Sequence, residues 1–205
     1  MKNKKLLGRF LQNFQNPKGF CGKIILWGMN KGHSSLSHWG MSHITWIQDW
    51  NVLDVGCGGG ANLAQILKHC PQGKVYGIDI SQVSVDFARK RNKELLSTRC
   101  FVEQGTVNEL PYTNNKFDVV TAFETVYFWD HLPLAFTEVA RVLRGKGYFL
   151  ICCEMNDPYE KTWPNRIEGM KIYSGDDLKL ILSESGFISV TLYRRKNALC
   201  IVAQK

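Results

Sequence analysis

Val52-Leu53-Asp54-Val55-Gly56-Cys57-Gly58-Gly59-Gly60-Ala61 is the stretch that decides how the rest of this chain is read. Apolar and β-branched positions lead into a run of glycines, and a helix-forming segment follows from Asn62. That pattern spells a buried strand, a tight turn and a helix N-terminus. Glycine lets the backbone come close to a ligand, and the open N–H groups of a helix start favour a polar or anionic partner. Gly56, Gly58 and Ala61 also fit a dinucleotide-binding fingerprint. Asp54 argues the other way. A carboxylate two residues ahead of the first glycine suits a cationic ligand group better than a pyrophosphate.

A second strand, Val75-Tyr76-Gly77-Ile78-Asp79-Ile80-Ser81, ends in an acid twenty-five residues after Asp54. A carboxylate there is a natural bidentate acceptor for a diol. Gly105 to Pro111 followed by Phe117-Asp118-Val119-Val120, and then Arg141-Val142-Leu143-Arg144-Gly145-Lys146-Gly147-Tyr148-Phe149-Leu150, complete a series of four segments. In content and order these segments resemble those of the class I S-adenosylmethionine-dependent methyltransferases, over roughly residues 50–205. The nearest flavour is the small-molecule branch that includes the ubiquinone-biosynthesis methyltransferases. The resemblance implies that Asp54, Gly56 and Gly58 flank the methionine part of the cofactor, that Asp79 holds the ribose, and that Ile80 packs on the adenine. Relatives carry Gly-Asp where this chain has Gly105-Thr106-Val107, so Thr106 replaces the acid that reaches the adenine amino group, with the Val107 N–H as a further contact.

Length and composition suit one core with an appendage. The 205 residues are 44% hydrophobic, enough for a sizeable interior. No apolar run approaches the roughly 20 residues that span a bilayer, and the signal-like start Met1 to Leu7 is broken by Gly8 and Arg9. Seven cysteines without a Cys-x-x-Cys spacing point to a reduced cytoplasm and to no metal. The net charge of +8 is concentrated in residues 1–50, where seven Lys/Arg face the single acid Asp49. The basic character belongs to that N-terminal segment, since the remainder carries only +2.

Leu6, Leu7, Phe10, Leu11 and Phe14 fall at helical spacing. A helix packed on the domain is the plainer outcome, and peripheral contact with a membrane surface or nucleic acid is the alternative. His33, His38 and His43 recur every five residues, which scatters them around a helix rather than aligning them as ligands. Residues 1–50 are therefore expected to form a helical cap or lid. Residues 51–205 are expected to form a Rossmann-like, seven-stranded, mostly parallel sheet with helices on both faces and a C-terminal antiparallel hairpin, Phe187–Tyr193 with Leu199–Ala203.

Methyl transfer from a sulfonium asks the protein mainly to align the reacting atoms and exclude water. Ligands of open α/β sheets sit beyond the carboxyl ends of the strands, which places Phe123 beside the cofactor and Glu124, Tyr127 and Trp129 on the acceptor side. Glu154, past the fifth strand, and Trp39, in the cap, are further acceptor-binding candidates, and His33 is a candidate base. The acceptor is expected to be a small molecule with an O, N, S or C nucleophile. An amine and a proton-bearing phenol or thiol both fit carboxylates set among aromatics. Two rivals have specific support. Tyr112-x-x-x-Lys116 imitates the pair of an NAD-dependent reductase, although it lies in a Pro/Asn-rich loop, and the basic N-terminus would suit an RNA methyltransferase. No Asn-Pro-Pro-Tyr-like motif supports the latter.

Overall fold

The chain is described by a computed structural model over residues 34–154 and 156–205. The expected helix at Leu6–Phe14 and the candidate base His33 lie outside the described residues.

Seven strands form one sheet in the order β3-β2-β1-β4-β5-β7-β6. They are β1 (Val52–Val55), β2 (Val75–Asp79), β3 (Cys100–Gln104), β4 (Phe117–Phe123), β5 (Leu143–Cys153), β6 (Ser189–Arg195) and β7 (Ala198–Gln204). The first five are parallel, whereas β7 runs antiparallel to both β5 and β6, as the closing hairpin required. All four residues of β1 are buried, as are all but Asp118 in β4, because helices cover both faces of the central strands.

One face of the sheet carries α1 (Ser34–Met41), α2 (Ala61–His69) and α3 (Gln82–Arg91), packed on Val52, Val75, Val119 and Leu150. The other carries α4 (Leu132–Val142) and α5 (Gly175–Glu184), packed on Leu53, Val120 and Phe149. Ser81 caps α3 through its hydroxyl, and Ser174 and Asp177 form a reciprocal capping box at α5.

Two boundaries differ from the sequence pattern. Ser81 reads as the N-cap of a helix whose sequence pattern continues to about Leu96, but the helix ends at Arg91. The Asn92 amide there donates to Ala88 O at 2.9 Å and Gly60 O at 3.1 Å, tying the helix end to the glycine turn and leaving only a short 3₁₀ turn at Lys93–Leu95. The sequence pattern puts the fifth strand at Tyr148–Cys153, whereas β5 starts at Leu143, and its register against β4 shifts between Phe117 and Val119.

No helix covers the connection from β3 to β4. Arg141 pins it instead, donating to Tyr112 O at 2.7 Å and Leu110 O at 2.9 Å, while Glu138 accepts the Leu110 N–H at 3.0 Å. The six described cysteines are all buried and unpaired.

Of the N-terminal segment, the described residues 34–50 are only partly helical. Helix α1 lies across β4 and β5 so closely that a Cβ built on Gly40 would fall 2.1 Å from Cys152 Sγ and 3.4 Å from the Phe123 ring. After Met41 the chain runs on without helix to β1, with Trp46 stacked on His69 and Trp50 set against Tyr148.

Candidate functional site

The strand order reverses between β1 and β4, so the crevice beyond their carboxyl ends is the topological switch point of the sheet. The glycine turn leaves β1 there, and Gly56, Gly58 and Gly60 all hold φ between +50° and +72°, a region that side chains resist. The turn is fastened to β2: the Gly56 N–H donates to Ile78 O at 2.8 Å and the Gly58 N–H to Asp79 Oδ2 at 2.9 Å. The other Asp79 oxygen accepts the Ser81 N–H at 2.9 Å. Burial raises the pKa of this carboxyl, and these backbone donors oppose the rise. Ile80, next along, is 57% exposed, unusual for an isoleucine beside a glycine turn. Gly60 at the head of α2 provides no side-chain cap, so the helix presents its first N–H groups to the crevice.

Asp54 is the most constrained acid in the chain. It is 1% exposed in the middle of the sheet and takes a hydrogen bond on Oδ1 from the Thr121 hydroxyl at 2.7 Å, across the β1–β4 pairing. Its Oδ2 is buried and has no protein partner. Burial pushes its pKa to about 7, the Thr121 bond resists that, and the charge of Asp79 adds to it. A carboxylate held dry with one oxygen unsatisfied is costly unless a ligand supplies a donor.

Across the crevice, Glu124 follows β4 with φ at +57°, a left-handed conformation for a side chain that does not favour it. Its N–H reaches Cys152 O at 2.9 Å, and Oε1 accepts both the Tyr127 hydroxyl at 3.0 Å and the Glu154 N–H at 2.5 Å. Glu124, Tyr127 and Glu154 are thus brought together, Glu154 through its backbone. Burial raises the Glu124 carboxyl to about 7, against the pull of these donors, with the charge of Glu154 adding to the rise. A left-handed backbone and a raised pKa thus coincide at the end of a central strand.

Several expected positions are placed elsewhere. The Trp129 indole lies in the core, 7% exposed, parallel to Phe149 at 6.3 Å and edge-on to Phe136 at 6.2 Å. The Phe123 ring is packed beneath α1, and the Val107 side chain sits in the core beside Leu110, which leaves its backbone N–H, the expected contact, undecided by packing. Thr106 Oγ1 is already engaged, accepting the Asn108 N–H at 3.3 Å. Trp39 turns toward β6, with the Arg195 guanidinium 4.9 Å from its ring and His43 edge-on at 5.0 Å. Tyr112 and Lys116 belong to the β3–β4 connection, where the Lys116 ammonium lies over the Tyr112 ring at 4.5 Å instead of one helical turn from the hydroxyl. Both line a separate cavity of about 540 Å³ at the β3 edge, which none of the acids above borders.

The sequence pattern also passed over Thr121 and Thr125. A threonine inside the apolar run Phe117–Phe123, in register with an acid, was the available signal for the first. Thr125 had none, because its role is set by a contact with Gly56 that only the folded chain makes.

A seven-stranded sheet in this order, with a glycine turn after β1 and an acid closing β2, defines the class I S-adenosylmethionine-dependent methyltransferase fold. Solved structures share it. A SAM-dependent methyltransferase from Aquifex aeolicus aligns with a TM-score of 0.72 at 21% identity, covering 87% of this chain and 96% of that one. A geranyl diphosphate C-methyltransferase from Streptomyces coelicolor, solved with S-adenosyl-L-homocysteine, gives 0.72 at 16% identity, over 83% and 75%. The family profile described as "Methyltransferase domain" matches residues 48–181, about two thirds of the chain, and the chain belongs to that family. Among curated relatives, a fatty-acid O-methyltransferase of Mycolicibacterium smegmatis is 33% identical over 104 residues, 51% of this chain and 37% of that protein. A demethylmenaquinone methyltransferase of Symbiobacterium thermophilum is 32% identical over 117 residues, 54% and 45%. The matched regions thus span less than half the length of these relatives.

Proposed function

We propose that this chain is an S-adenosylmethionine-dependent methyltransferase acting on a small-molecule acceptor. The observation that carries the proposal is the Asp79 carboxylate, fastened across the glycine turn at Gly58 and facing the switch-point crevice. The residues present fit the cofactor. Asp54 has a buried oxygen lacking a donor, which suits an ammonium. Gly56 and Gly58 admit close approach, Asp79 suits the ribose diol, and Ile80 offers an exposed apolar side chain to an adenine face. Bound there, the cofactor supplies a methyl group already activated on sulfur. The chain holds the two substrates in line, keeps water out, and offers Glu124, with Tyr127 fixing its orientation, to accept a proton from the acceptor.

Two relatives are named for a fatty acid and a demethylmenaquinone. An acceptor with apolar parts suits this chain too, because the β5–α5 connection carries Tyr159 at 88% and Trp163 at 38% exposure. Residues 1–50 hold four of the six tryptophans, and α1 crosses the carboxyl ends of β4 and β5, which supports a lid. A cytoplasmic setting agrees with the six unpaired cysteines, and no described helix is long and apolar enough to cross a membrane.

Calorimetric titration with S-adenosylmethionine, S-adenosylhomocysteine and NADH tests the core of this reading. Binding of the first two and not of NADH is the expected result, and the reverse pattern would overturn it. Deleting residues 1–30 should abolish turnover while the sheet still melts cooperatively. Full activity after that deletion rules the lid out.

A further inference from the structure

We propose that Trp129 is a positioning residue. Through Thr125 it locks the glycine turn and the strained Glu124 into one unit, so that cofactor binding and acceptor-side geometry are coupled. This rests on the assignment of Gly56–Gly58 to the cofactor.

The indole Nε1–H of Trp129 donates to Thr125 Oγ1 at 3.1 Å. The ring cannot follow a moving partner, because it is wedged against Phe149 and Phe136 in the core. Thr125 in turn fills the space that Gly56 leaves empty. A Cβ on Gly56 would meet Thr125 Oγ1 at 2.2 Å, Cβ at 2.8 Å and Cγ2 at 3.2 Å. The threonine side chain is therefore packed directly against the first glycine of the turn.

Thr125 is also the residue after Glu124, and its carbonyl accepts the Phe128 N–H at 3.0 Å, closing the 3₁₀ turn that carries Tyr127. One side chain thus touches the cofactor turn, adjoins the left-handed Glu124 and is held by a donor anchored in the core. A left-handed glutamate persists only where its surroundings over-determine it, and here they do so from both neighbouring strands. A shift of the glycine turn on ligand binding must move Thr125, and Thr125 must move Glu124.

The test is calorimetric titration of S-adenosylhomocysteine into the wild type, Trp129→Phe, Thr125→Val, Thr125→Ser and the double variant Trp129→Phe/Thr125→Val, with unliganded melting curves as the folding control. Trp129→Phe keeps an aromatic ring in the core and removes the donor. Thr125→Val keeps the shape and removes the acceptor. Without the bond the free turn relaxes out of its binding geometry, and restoring that geometry on binding costs up to one neutral hydrogen bond, about 3- to 10-fold in affinity. Each single variant should weaken binding by that factor, Thr125→Ser should stay within about twofold, and the double variant should bind no more weakly than the poorer single, because both changes delete the same bond. A carboxyl ¹³C titration of Glu124 should move on ligand binding in the wild type and stay still in Trp129→Phe. Affinities within about twofold of wild type in both single variants, or losses that multiply in the double, overturn the strut. A wild type that binds no S-adenosylhomocysteine overturns the functional assignment on which it stands.

Discussion

Replacing Asp54 with Asn should make the protein more stable above about pH 7, less stable near pH 4, and a poorer binder. The Asp54 carboxyl has its pKa raised from 3.8 to about 7, first by burial. The folded state therefore holds the proton more tightly than the unfolded chain does. The corresponding stability is fully present below about pH 4 and is lost as pH rises through 7. A shift of about three units is worth on the order of 4 kcal/mol at about 1.4 kcal/mol per unit. Asn cannot ionise, so it avoids that loss. Its carbonyl oxygen keeps the Thr121 hydrogen bond, but its NH₂ takes the place of the unpartnered Oδ2 at a cost of about 1–3 kcal/mol. The net expectation is about 1–3 kcal/mol of lost stability for the variant near pH 4, where Asp54 is protonated and only the NH₂ cost remains, and about 1–3 kcal/mol of added stability near pH 8. Urea unfolding at both pH values, with m unchanged, reads this as a shift in midpoint. A difference that is the same at both pH values would refute the titration of Asp54 in this window. The same substitution should weaken S-adenosylhomocysteine by roughly tenfold, since it removes the counter-charge to the ligand's ammonium.

Asp79→Ala deletes the acceptor of the Gly58 and Ser81 N–H groups along with the proposed diol clamp, and should cost about 2–4 kcal/mol of S-adenosylhomocysteine binding in calorimetry; unchanged affinity sinks that assignment. Glu124→Gln should lower turnover at least about tenfold and remove the limb near pH 7 from the rate profile, with cofactor affinity kept within about threefold. Gly56→Ala forces a side chain into a left-handed backbone and into the Thr125 side chain, and thermal melting should register a loss of roughly 2–4 kcal/mol.

The fold was legible because its signals are local and repeated. Each strand is an apolar run bounded by turn residues, and Asp54, the glycines and Asp79 occupy fixed offsets along the chain. The β6–β7 hairpin could be read from the two β-rich runs Phe187–Tyr193 and Leu199–Ala203, split by the polar Arg194-Arg195-Lys196-Asn197. What escaped depends on contacts between distant segments. Where the aromatics after β4 pack depends on the room left by Phe136 and Phe149, which residue type alone does not give for Trp129. The early end of α3 turns on the Asn92 amide finding a carbonyl thirty-two positions away in sequence, at Gly60. Glu124 could be placed at the right edge by topology, but its left-handed backbone has no counterpart in residue type.

The buried cysteines give this protein a built-in clock for its own opening. Thiols react as thiolates, and burial pushes Cys70 to about 12 and Cys100 to about 11, with Cys57, Cys152 and Cys153 also driven upward. In the closed fold these sulfurs are shielded twice over, by lack of access and by lack of charge, so their modification by an alkylating reagent must wait for a local or global opening. The thiols are distributed to report separately: Cys57 in the glycine turn, Cys100 at the β3 edge, and Cys152 with Cys200 on paired strands beneath α1. Peptide-resolved labelling rates would rank the opening of the glycine turn, the sheet edge and the strands beneath α1 within one molecule, with no probe introduced from outside.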